Sequence, residues 1–250
     1  MHKMNKVIEQ FGKRAETYSG SANWISDQGL IQSHIDATGS KPPGYVLELC
    51  CGTGMVGRSF HFAGWSVCGV DLTQKMAEEA NRFYPCISTP AENIPFLDNS
   101  FDVVVLRQAY FLLDDGQKVL AEAHRVLKPG GVFVLSQTVP FSSEDSPWLE
   151  HIHRTKQAQL REFFTEESLK GQLEREFFRV RDIRRLSVRE NITRWMALAP
   201  EQTPEQQAEV CRLVAEAPEP YHSIHKVEVV DGQVLEDWNW VIFSAVRKSD

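Results

Sequence analysis

The sequence has little of what marks a secreted or membrane-spanning protein. It contains five cysteines among 250 residues, an odd number that sits mostly within apolar segments. This usage favours buried thiols in a reducing cytoplasm over a disulfide framework. No apolar run approaches the ~18–20 residues of a membrane-spanning helix, and the first residues, MHKMNKVIEQ, lack the apolar core of a signal peptide. We therefore expect a cytoplasmic protein.

Positive charge is also scarce. The 27 lysines and arginines are outnumbered by 34 aspartates and glutamates, which gives a formal net charge of -7. Binding along a nucleic-acid backbone needs a surplus of lysine and arginine, and a polybasic membrane anchor needs a cluster of them. No spacing of cysteine and histidine resembles a zinc site. The sequence thus predicts no nucleic acid, no membrane and no metal among the partners.

The spacing of apolar residues predicts an α/β fold. Helical spacing dominates the first forty residues, with a second helix over 24–35, and a breaker rich in glycine and proline follows at 39–44. Apolar strands are predicted at 45–50, 65–71, 86–89, 101–107 and 132–138, separated by amphipathic helices. Helices over 148–164 and 166–175, a strand over 177–189 and a hairpin of 226–230 with 234–246 follow. Such alternation indicates a parallel sheet covered by helices on both faces.

Helix-capping residues support these boundaries. The predicted N-caps are Thr73, Asp115, Thr165 and Thr203. Thr203 is followed by proline and by a glutamine at the third helical position, which is the sequence of a capping box. Nothing along the chain indicates a second independent domain.

A glycine-rich turn joins the first predicted strand to the helix after it. Gly52, Gly54 and Gly57 fit the pattern G-x-G-x-x-G, and Asp71 ends the next strand, 19 residues after Gly52. Such a turn lets the backbone approach a ligand closely, and a carboxylate at that place can bind a ribose diol. The pattern also fits a dinucleotide site, so an NAD(P)-binding oxidoreductase is one interpretation.

An acidic residue inside the first strand favours a different ligand. Glu48 lies four residues before Gly52, where a dinucleotide fold usually has an apolar residue. A carboxylate there suits a ligand with an ammonium group better than it suits a pyrophosphate. The later segments also lack a second nucleotide-binding half.

Four stretches occur in order along the chain. They are VLELCCGTG (46–54), VDLTQKM (70–76), AENIPFLDNSFDVV (91–104) and RVLKPGG (125–131). Together they resemble the class I S-adenosylmethionine-dependent methyltransferases, in particular the small-molecule subgroup that includes the quinone-biosynthesis and malonyl-carrier methyltransferases. The resemblance spans about residues 7–138. Each stretch alone is weak evidence, whereas all four at this spacing are specific.

The resemblance implies a seven-stranded, mostly parallel Rossmann-like sheet with helices on both faces and an antiparallel last strand. It implies a single domain, in which 1–40 forms a helical lid, 41–140 the cofactor-binding core, 141–235 the substrate-side cover and 236–250 the final strand.

The resemblance also implies S-adenosylmethionine as the cofactor and suggests which residues bind it. Glu48, with the backbone of Cys50 and Gly52, would hold the methionine ammonium, and Asp71 would bind the ribose hydroxyls. Tyr18 would cover the cofactor from the N-terminal lid. Further expected contacts are Leu72, Ile94 and the backbone of Ala91 and Glu92 at adenine, Arg107 and Gln108 at the methionine end, and Gly54 and Met76 within the motifs.

Two positions depart from the family pattern. Cys50 stands where many members have the first glycine of the loop. Pro90 stands where many have an aspartate that contacts the adenine amine, and proline offers neither that side chain nor a backbone N–H.

The acceptor side is less defined by sequence. Trp24 and Tyr110 are candidate walls of a substrate pocket, with a role in the core as the alternative. His151 or its neighbour His153 is a candidate general base, with a merely solvated histidine as the alternative. Methyl transfer from an activated sulfonium depends mainly on alignment, so the family needs no fixed catalytic motif and the catalytic residue stays unassigned.

Six arginines lie within residues 179–194 of this acidic protein. We interpret them as charge that protects an edge strand, with contact to an acidic substrate group as the alternative. The prediction for the whole chain is S-adenosylmethionine-dependent methyl transfer to a small molecule at O, N or C, with the oligomeric state left open. The alternatives are the NAD(P)-binding oxidoreductase and a non-catalytic S-adenosylmethionine-binding protein.

Overall fold

The predicted strands form one sheet of eight strands in the computed structural model, which describes residues 2–39 and 41–249 and only the backbone of His2 and Lys3. Ser40, in the predicted breaker, lies outside the described residues. The strands are β1 Tyr45–Leu49, β2 Ser66–Asp71, β3 Cys86–Ser88, β4 Phe101–Arg107, β5 Leu127–Thr138, β6 Phe178–Asn191, β7 Glu228–Val230 and β8 Gln233–Arg247.

The strand order is β3-β2-β1-β4-β5-β8-β6, with β7 paired to the outer part of β8. Strands β1 to β5 pair in parallel, whereas β8 runs antiparallel to β5, β6 and β7. This confirms the predicted α/β class with an antiparallel last strand. The sheet has one strand more than expected, because the 15-residue β8 is long enough to pair with β5 and β7 on one side and β6 on the other.

Eleven α-helices surround this sheet among the described residues. They are α1 His2–Arg14, α2 Asn23–Ser26, α3 Gln28–Asp36, α4 Met55–Phe62, α5 Gln74–Ala80, α6 Gly116–Val126, α7 Ser146–Lys156, α8 Glu166–Glu174, α9 Ile192–Ala197, α10 Pro204–Ala215 and α11 Tyr221–Ile224. Single 3-10 turns occur at Tyr18–Gly20 and Tyr110–Leu112.

Three of the predicted caps are confirmed by their hydrogen bonds. Asp115, Thr165 and Thr203 each accept a backbone N–H from the first turn of the helix that follows. Thr73 occupies the N-cap position of α5, but its side chain accepts no capping bond. Its own N–H instead donates to Asp71 Oδ1 at 2.8 Å, so the preceding aspartate orders this turn.

Two helices differ from their predicted bounds. The helix expected over 24–35 is split, because Asp27 accepts the N–H of Leu30 at 2.7 Å and so begins α3 as its N-cap. The helix expected over 148–164 begins at Ser146 and ends at Lys156.

The core consists of two apolar layers, one on each face of the sheet. Along β1 the side chains alternate, so that Val46 packs on the face of α4 while Leu47 and Leu49 pack on the face of α6. Glu48 shares the face of Val46 and is 3% exposed. The carboxyl ends of β1, β2 and β4 meet at one edge of the sheet, beneath the N-terminal helices. None of the described helices is long and apolar enough to cross a membrane.

Candidate functional site

The turn after β1 has a backbone shaped for close approach of a ligand. Cys50, Gly52 and Gly54 have positive φ angles of 51°, 54° and 81°. The left-handed backbone of Cys50 is a conformation that glycine adopts more readily than a residue with a side chain. Gly54 is also the N-cap residue of α4, so the turn directs free helical N–H groups toward the edge of the sheet.

Asp71 lies beside this turn and ties it to the next one. Its Oδ2 accepts the N–H of Gly52 at 2.8 Å, and its Oδ1 accepts the N–H of Thr73 at 2.8 Å. Burial raises the pKa of Asp71, while these two hydrogen bonds act to lower it. Each carboxylate oxygen has two acceptor sites, so both oxygens retain capacity for a hydroxyl donor.

A cavity of about 850 Å³, partly open to solvent, lies over these groups, and we refer to it as the first cavity. Its walls come from the N-terminal helical segment and from the turns after β1, β2, β3 and β4. Ten of the thirteen residues predicted to contact a cofactor line it: Tyr18, Cys50, Gly52, Asp71, Leu72, Met76, Ala91, Glu92, Arg107 and Gln108. Pro90 lines it as well.

Glu48 does not line the first cavity. Its Oε2 accepts the N–H of Gly57 at 2.7 Å and the hydroxyl of Tyr84 at 2.6 Å, on the α4 face of the sheet. Burial raises the pKa of Glu48 to about 7, against the opposing effect of the Tyr84 hydrogen bond. Through Oε2, Glu48 thus supports α4 and the glycine turn, and its contact with the methionine ammonium stays a prediction.

The glycines at 54 and 57 serve packing as well as the turn. A Cβ on Gly57 would lie 2.5 Å from Tyr84 Cζ and 2.6 Å from Glu48 Oε2. A Cβ on Gly54 would lie 2.8 Å from the Tyr84 hydroxyl. Their place in the G-x-G-x-x-G pattern is therefore explained by the approach of Tyr84 and Glu48 to α4, and neither glycine lines the first cavity.

Ile94, expected at adenine, also lies elsewhere. It is buried in the core layer on the α6 face, and its N–H donates to Glu122 Oε2 at 2.9 Å. Leu72 thus remains as the predicted apolar contact in the first cavity.

Arg107 connects the end of β4 to the N-terminal lid. Its guanidinium donates to the carbonyls of Trp24 and Ile25 at 3.3–3.4 Å and lies 5.0 Å from the centre of the Trp24 ring. Burial lowers the pKa of Arg107, and the nearby Glu48 acts in the opposite direction. At the other end of α2, the carboxylate of Glu190 accepts the N–H groups of Asn23 and Trp24. These contacts fix the position of Trp24.

A second cavity, of about 500 Å³, adjoins the first and shares Phe11, Tyr18 and Gln108 with it. Gln108 has a positive φ of 52°, and its side-chain amide exchanges hydrogen bonds with Thr138. A non-glycine residue in this conformation is often found at functional sites. The other residues that line the second cavity are Arg14, Trp24, Phe111, His153, Lys156, Gln157, Trp195 and Trp238.

Of the predicted substrate-pocket residues, only Trp24 lines a cavity. Tyr110 is 4% exposed and stacks on Phe164 within the core, where burial raises the pKa of its hydroxyl. His151 is exposed and packs against Trp148. The alternative histidine, His153, faces the second cavity and contacts the rings of Phe163 and Trp238.

Sequence reasoning missed most of the second cavity. Its signal was helical spacing: Phe11 and Arg14 lie three apart on α1, and His153, Lys156 and Gln157 lie at i, i+3 and i+4 at the end of α7. The tryptophans at 195 and 238 come from distant segments, and nothing local in the sequence brings them together.

The arginines of residues 179–194 do not line either cavity. β6 is an edge strand of the sheet, as predicted. Arg184 pairs with Asp36, Arg185 with Glu166, and Arg189 with Glu228 and Asp237. No group of three or more potential metal ligands was found among residues 2–39 and 41–249.

A known protein family matches the segment that carries the glycine turn and Asp71. Residues 47–135, which include the glycine turn and Asp71, match the family described as "Methyltransferase domain". This matched segment, which runs from β1 into β5, is similar to methyltransferase domains. The chain is 36% identical over 144 residues to the ubiquinone/menaquinone biosynthesis C-methyltransferase UbiE of Desulfotalea psychrophila, an alignment that covers 55% of this chain and 58% of that protein. The chain spans about half the length of the curated relatives it matches.

Solved structures show the same fold for the methyltransferase domain. The YcgJ protein of Bacillus subtilis superposes with a TM-score of 0.77 at 17% identity, covering 88% of this chain and 98% of that one. The geranyl diphosphate C-methyltransferase of Streptomyces coelicolor, solved with S-adenosyl-L-homocysteine, gives a TM-score of 0.61 at 16% identity and covers 89% and 76%. At these identities the likeness shows the fold alone.

Proposed function

We propose that this chain transfers the methyl group of S-adenosylmethionine to a small molecule with an O, N or C nucleophile. The proposal depends on one observation: the two cavities adjoin each other and share Phe11, Tyr18 and Gln108. The glycine turn and Asp71 line the first cavity, and aromatic rings line much of the second. A cofactor site next to an acceptor site is what direct transfer between two bound molecules requires.

The residues of the first cavity fit S-adenosylmethionine. Asp71 offers unused acceptor sites for a ribose diol, and Leu72 and Met76 offer apolar surface for the adenine ring. Pro90 lines the cavity where many relatives have aspartate, so the backbone at Ala91 and Glu92 would meet the adenine edge.

When bound, S-adenosylmethionine supplies a methyl group activated by a positively charged sulfur. A nucleophile in the second cavity would form a bond to the methyl carbon as the carbon–sulfur bond breaks. The electron pair of the broken carbon–sulfur bond would stay on sulfur, which becomes a neutral thioether. The proton of the nucleophile leaves to a base or to solvent.

The protein's part is alignment and exclusion of water. Alignment alone can supply roughly 7–11 kcal/mol of the barrier reduction. Tyr18 contributes to both, since its ring lies between the two cavities and contacts Phe11 and Trp24 edge-on, with centroids 6.2 Å apart in each pair. Its Cε1 is 3.6 Å from the position that a Cβ on Gly52 would take, so this ring covers the glycine turn.

His153 is the described histidine that faces the second cavity. Burial, with the charge of Lys156, lowers the pKa of His153 to about 4. The imidazole is therefore neutral at physiological pH, which is the form that accepts a proton. A nucleophile that is already ionised would not need this step.

Titration calorimetry with S-adenosylhomocysteine and, separately, with NADH tests the proposal against the oxidoreductase. Saturable binding of S-adenosylhomocysteine and none of NADH is expected, and the reverse would overturn the proposal. Incubation of methyl-labelled S-adenosylmethionine with a metabolite extract then tests catalysis. Binding of the cofactor without transfer of label to any small molecule would favour the non-catalytic alternative.

A further inference from the structure

The second cavity contains two buried cations with too few partners. Arg14 and Lys156 are 5% and 4% exposed. Both reach the same carboxylate oxygen, Glu201 Oε1, at 3.7 Å, which is longer than a hydrogen bond. Arg14 Nε and Lys156 Nζ have no hydrogen-bond partner within the described part of the chain.

The charge of this cluster does not balance. Two cations share one carboxylate, whose Oε2 has no hydrogen-bond partner within the described residues. The neighbouring amides of Gln10 and Gln157 form reciprocal hydrogen bonds of 2.9 and 3.0 Å, and Gln10 Nε2 also donates to Glu201 Oε1 at 3.3 Å. Burial, together with the nearby Arg14 guanidinium, lowers the pKa of Lys156 to about 7. An ammonium that has lost water without gaining an acceptor is costly, so Lys156 gives up its proton more readily than an exposed lysine does, and a bound anion would favour its charged form.

Aromatic rings supply part of what the cations lack. Lys156 Nζ lies 4.7 Å from the centre of the Trp195 ring, and the Arg14 guanidinium lies 5.4 Å from that of Tyr18. Cation–π contacts of this kind are worth about 0.5–2 kcal/mol, less than a hydrogen-bonded ion pair in a buried site. They leave room for an anion and create flat apolar walls beside it.

We propose that the second cavity binds the methyl acceptor and that this acceptor is a flat, apolar molecule with one carboxylate, held by Arg14 and Lys156. This inference rests on the proposed function, since it names the substrate class of the same site. A single carboxylate supplies the missing charge and the missing acceptors together. The tryptophans at 24, 195 and 238 stack on the apolar part, and the end that reaches Gln108 faces the first cavity.

The charge also disfavours other acceptors. A cationic amine would meet Arg14 and Lys156 without a counter-charge. A neutral molecule would leave both cations as they are.

The first test compares three ligands of one shape on the unmodified protein saturated with S-adenosylhomocysteine. The probes are 2-naphthoate, its neutral amide and 2-naphthylmethylamine. Binding is measured by calorimetry and by quenching of tryptophan fluorescence, because three tryptophans line the cavity. We expect naphthoate to bind at least tenfold more tightly than the amide, and the amine to bind more weakly than the amide. Equal affinity of acid and amide, or no saturable binding of naphthoate, would overturn the inference.

The second test removes one cation. In Lys156→Met the remaining Arg14 balances Glu201, so the fold should keep its melting temperature while naphthoate affinity falls at least tenfold. Lys13→Met is the matched control, because Lys13 is exposed on α1 next to Arg14 and pairs with Glu9 on the surface. An unchanged naphthoate affinity in Lys156→Met, or an equal loss in Lys13→Met, would contradict the assignment.

Failure here is distinguishable from failure of the proposed function. Affinity for S-adenosylhomocysteine is measured separately in every variant. If that compound binds and naphthoate is not preferred, only the acceptor class is wrong. If that compound does not bind, the proposed function falls, and the ligand series without it still tests the second cavity for an anion site.

Discussion

Asp71 offers the sharpest mutational test of the first cavity. Its two oxygens each accept one backbone N–H at 2.8 Å, from Gly52 and from Thr73. In Asp71→Asn one oxygen becomes an NH₂ group, which cannot accept and faces an N–H donor. The variant therefore loses the negative charge and about half of the acceptor capacity, with almost no change in shape.

The expected magnitude follows from these bonds. A hydrogen bond to a charged group contributes about 1.5–3 kcal/mol, and the ribose would make one or two such bonds to Asp71. We expect affinity for S-adenosylhomocysteine to fall about 10- to 100-fold, which corresponds to about 1.4–2.8 kcal/mol. Asp71→Ala should bind still more weakly and should also lower the melting temperature. It leaves two N–H groups without acceptors, at a cost of about 1–3 kcal/mol each.

Titration calorimetry at fixed pH and ionic strength measures the affinity, and thermal unfolding without ligand measures the stability. Glu78→Gln is the matched control, because Glu78 is an exposed carboxylate on α5, just after Asp71 in the chain. Its removal changes the net charge equally and should leave the affinity within about threefold. If Asp71→Asn also stays within threefold, Asp71 does not contact the ligand and the assignment of the first cavity is refuted.

Three further variants test the surrounding structure. Glu48→Gln should flatten the pH dependence of stability. The folded-state pKa of Glu48 is raised from 4.5 to about 7, so the contribution of this one group to the free energy of unfolding falls by about 3 kcal/mol as pH rises between these values. Urea unfolding between pH 5 and pH 8 measures this free energy, and the same pH dependence in Glu48→Gln as in the unmodified protein would contradict the prediction. Tyr18→Ala should lower kcat/KM by at least tenfold with little loss of stability, because the ring that covers the glycine turn is removed. Tyr18→Phe keeps the ring and should retain nearly the kcat/KM of the unmodified protein. An equal loss of activity in both variants would show that the hydroxyl, and not the ring, is needed. Gly57→Ala should lower stability by about 1–3 kcal/mol, since its Cβ would overlap Tyr84, and an unchanged melting temperature would show that α4 has room.

The parts of the molecule that sequence predicted well depend on local pattern. The positions of β1, β2, β4 and the 132–138 part of β5 follow from apolar runs, whereas the beginning of β5 at Leu127 was not predicted. The caps of α6, α8 and α10 follow from side chains three residues before their partners. Asp71 and the glycine turn were located for the same reason. Their chemistry is determined by neighbours within a strand and a turn.

Contacts between distant segments explain what was missed. The sequence placed Glu48 inside the first strand, but only the fold brings the Tyr84 hydroxyl to its carboxylate. The choice between His151 and His153 depended on which face of α7 meets β8, as shown by the contact of His153 with Trp238. The pairing of Arg14 and Lys156 with Glu201 joins segments far apart in sequence, and no local pattern indicates it.

A crystal structure with S-adenosylhomocysteine tests the central claim most directly. The account predicts that the compound fills the first cavity, with its ribose hydroxyls within hydrogen-bond distance of Asp71 and its sulfur facing Gln108 and the second cavity. A first cavity that stays empty at saturating ligand, or a ribose bound away from Asp71, would contradict it.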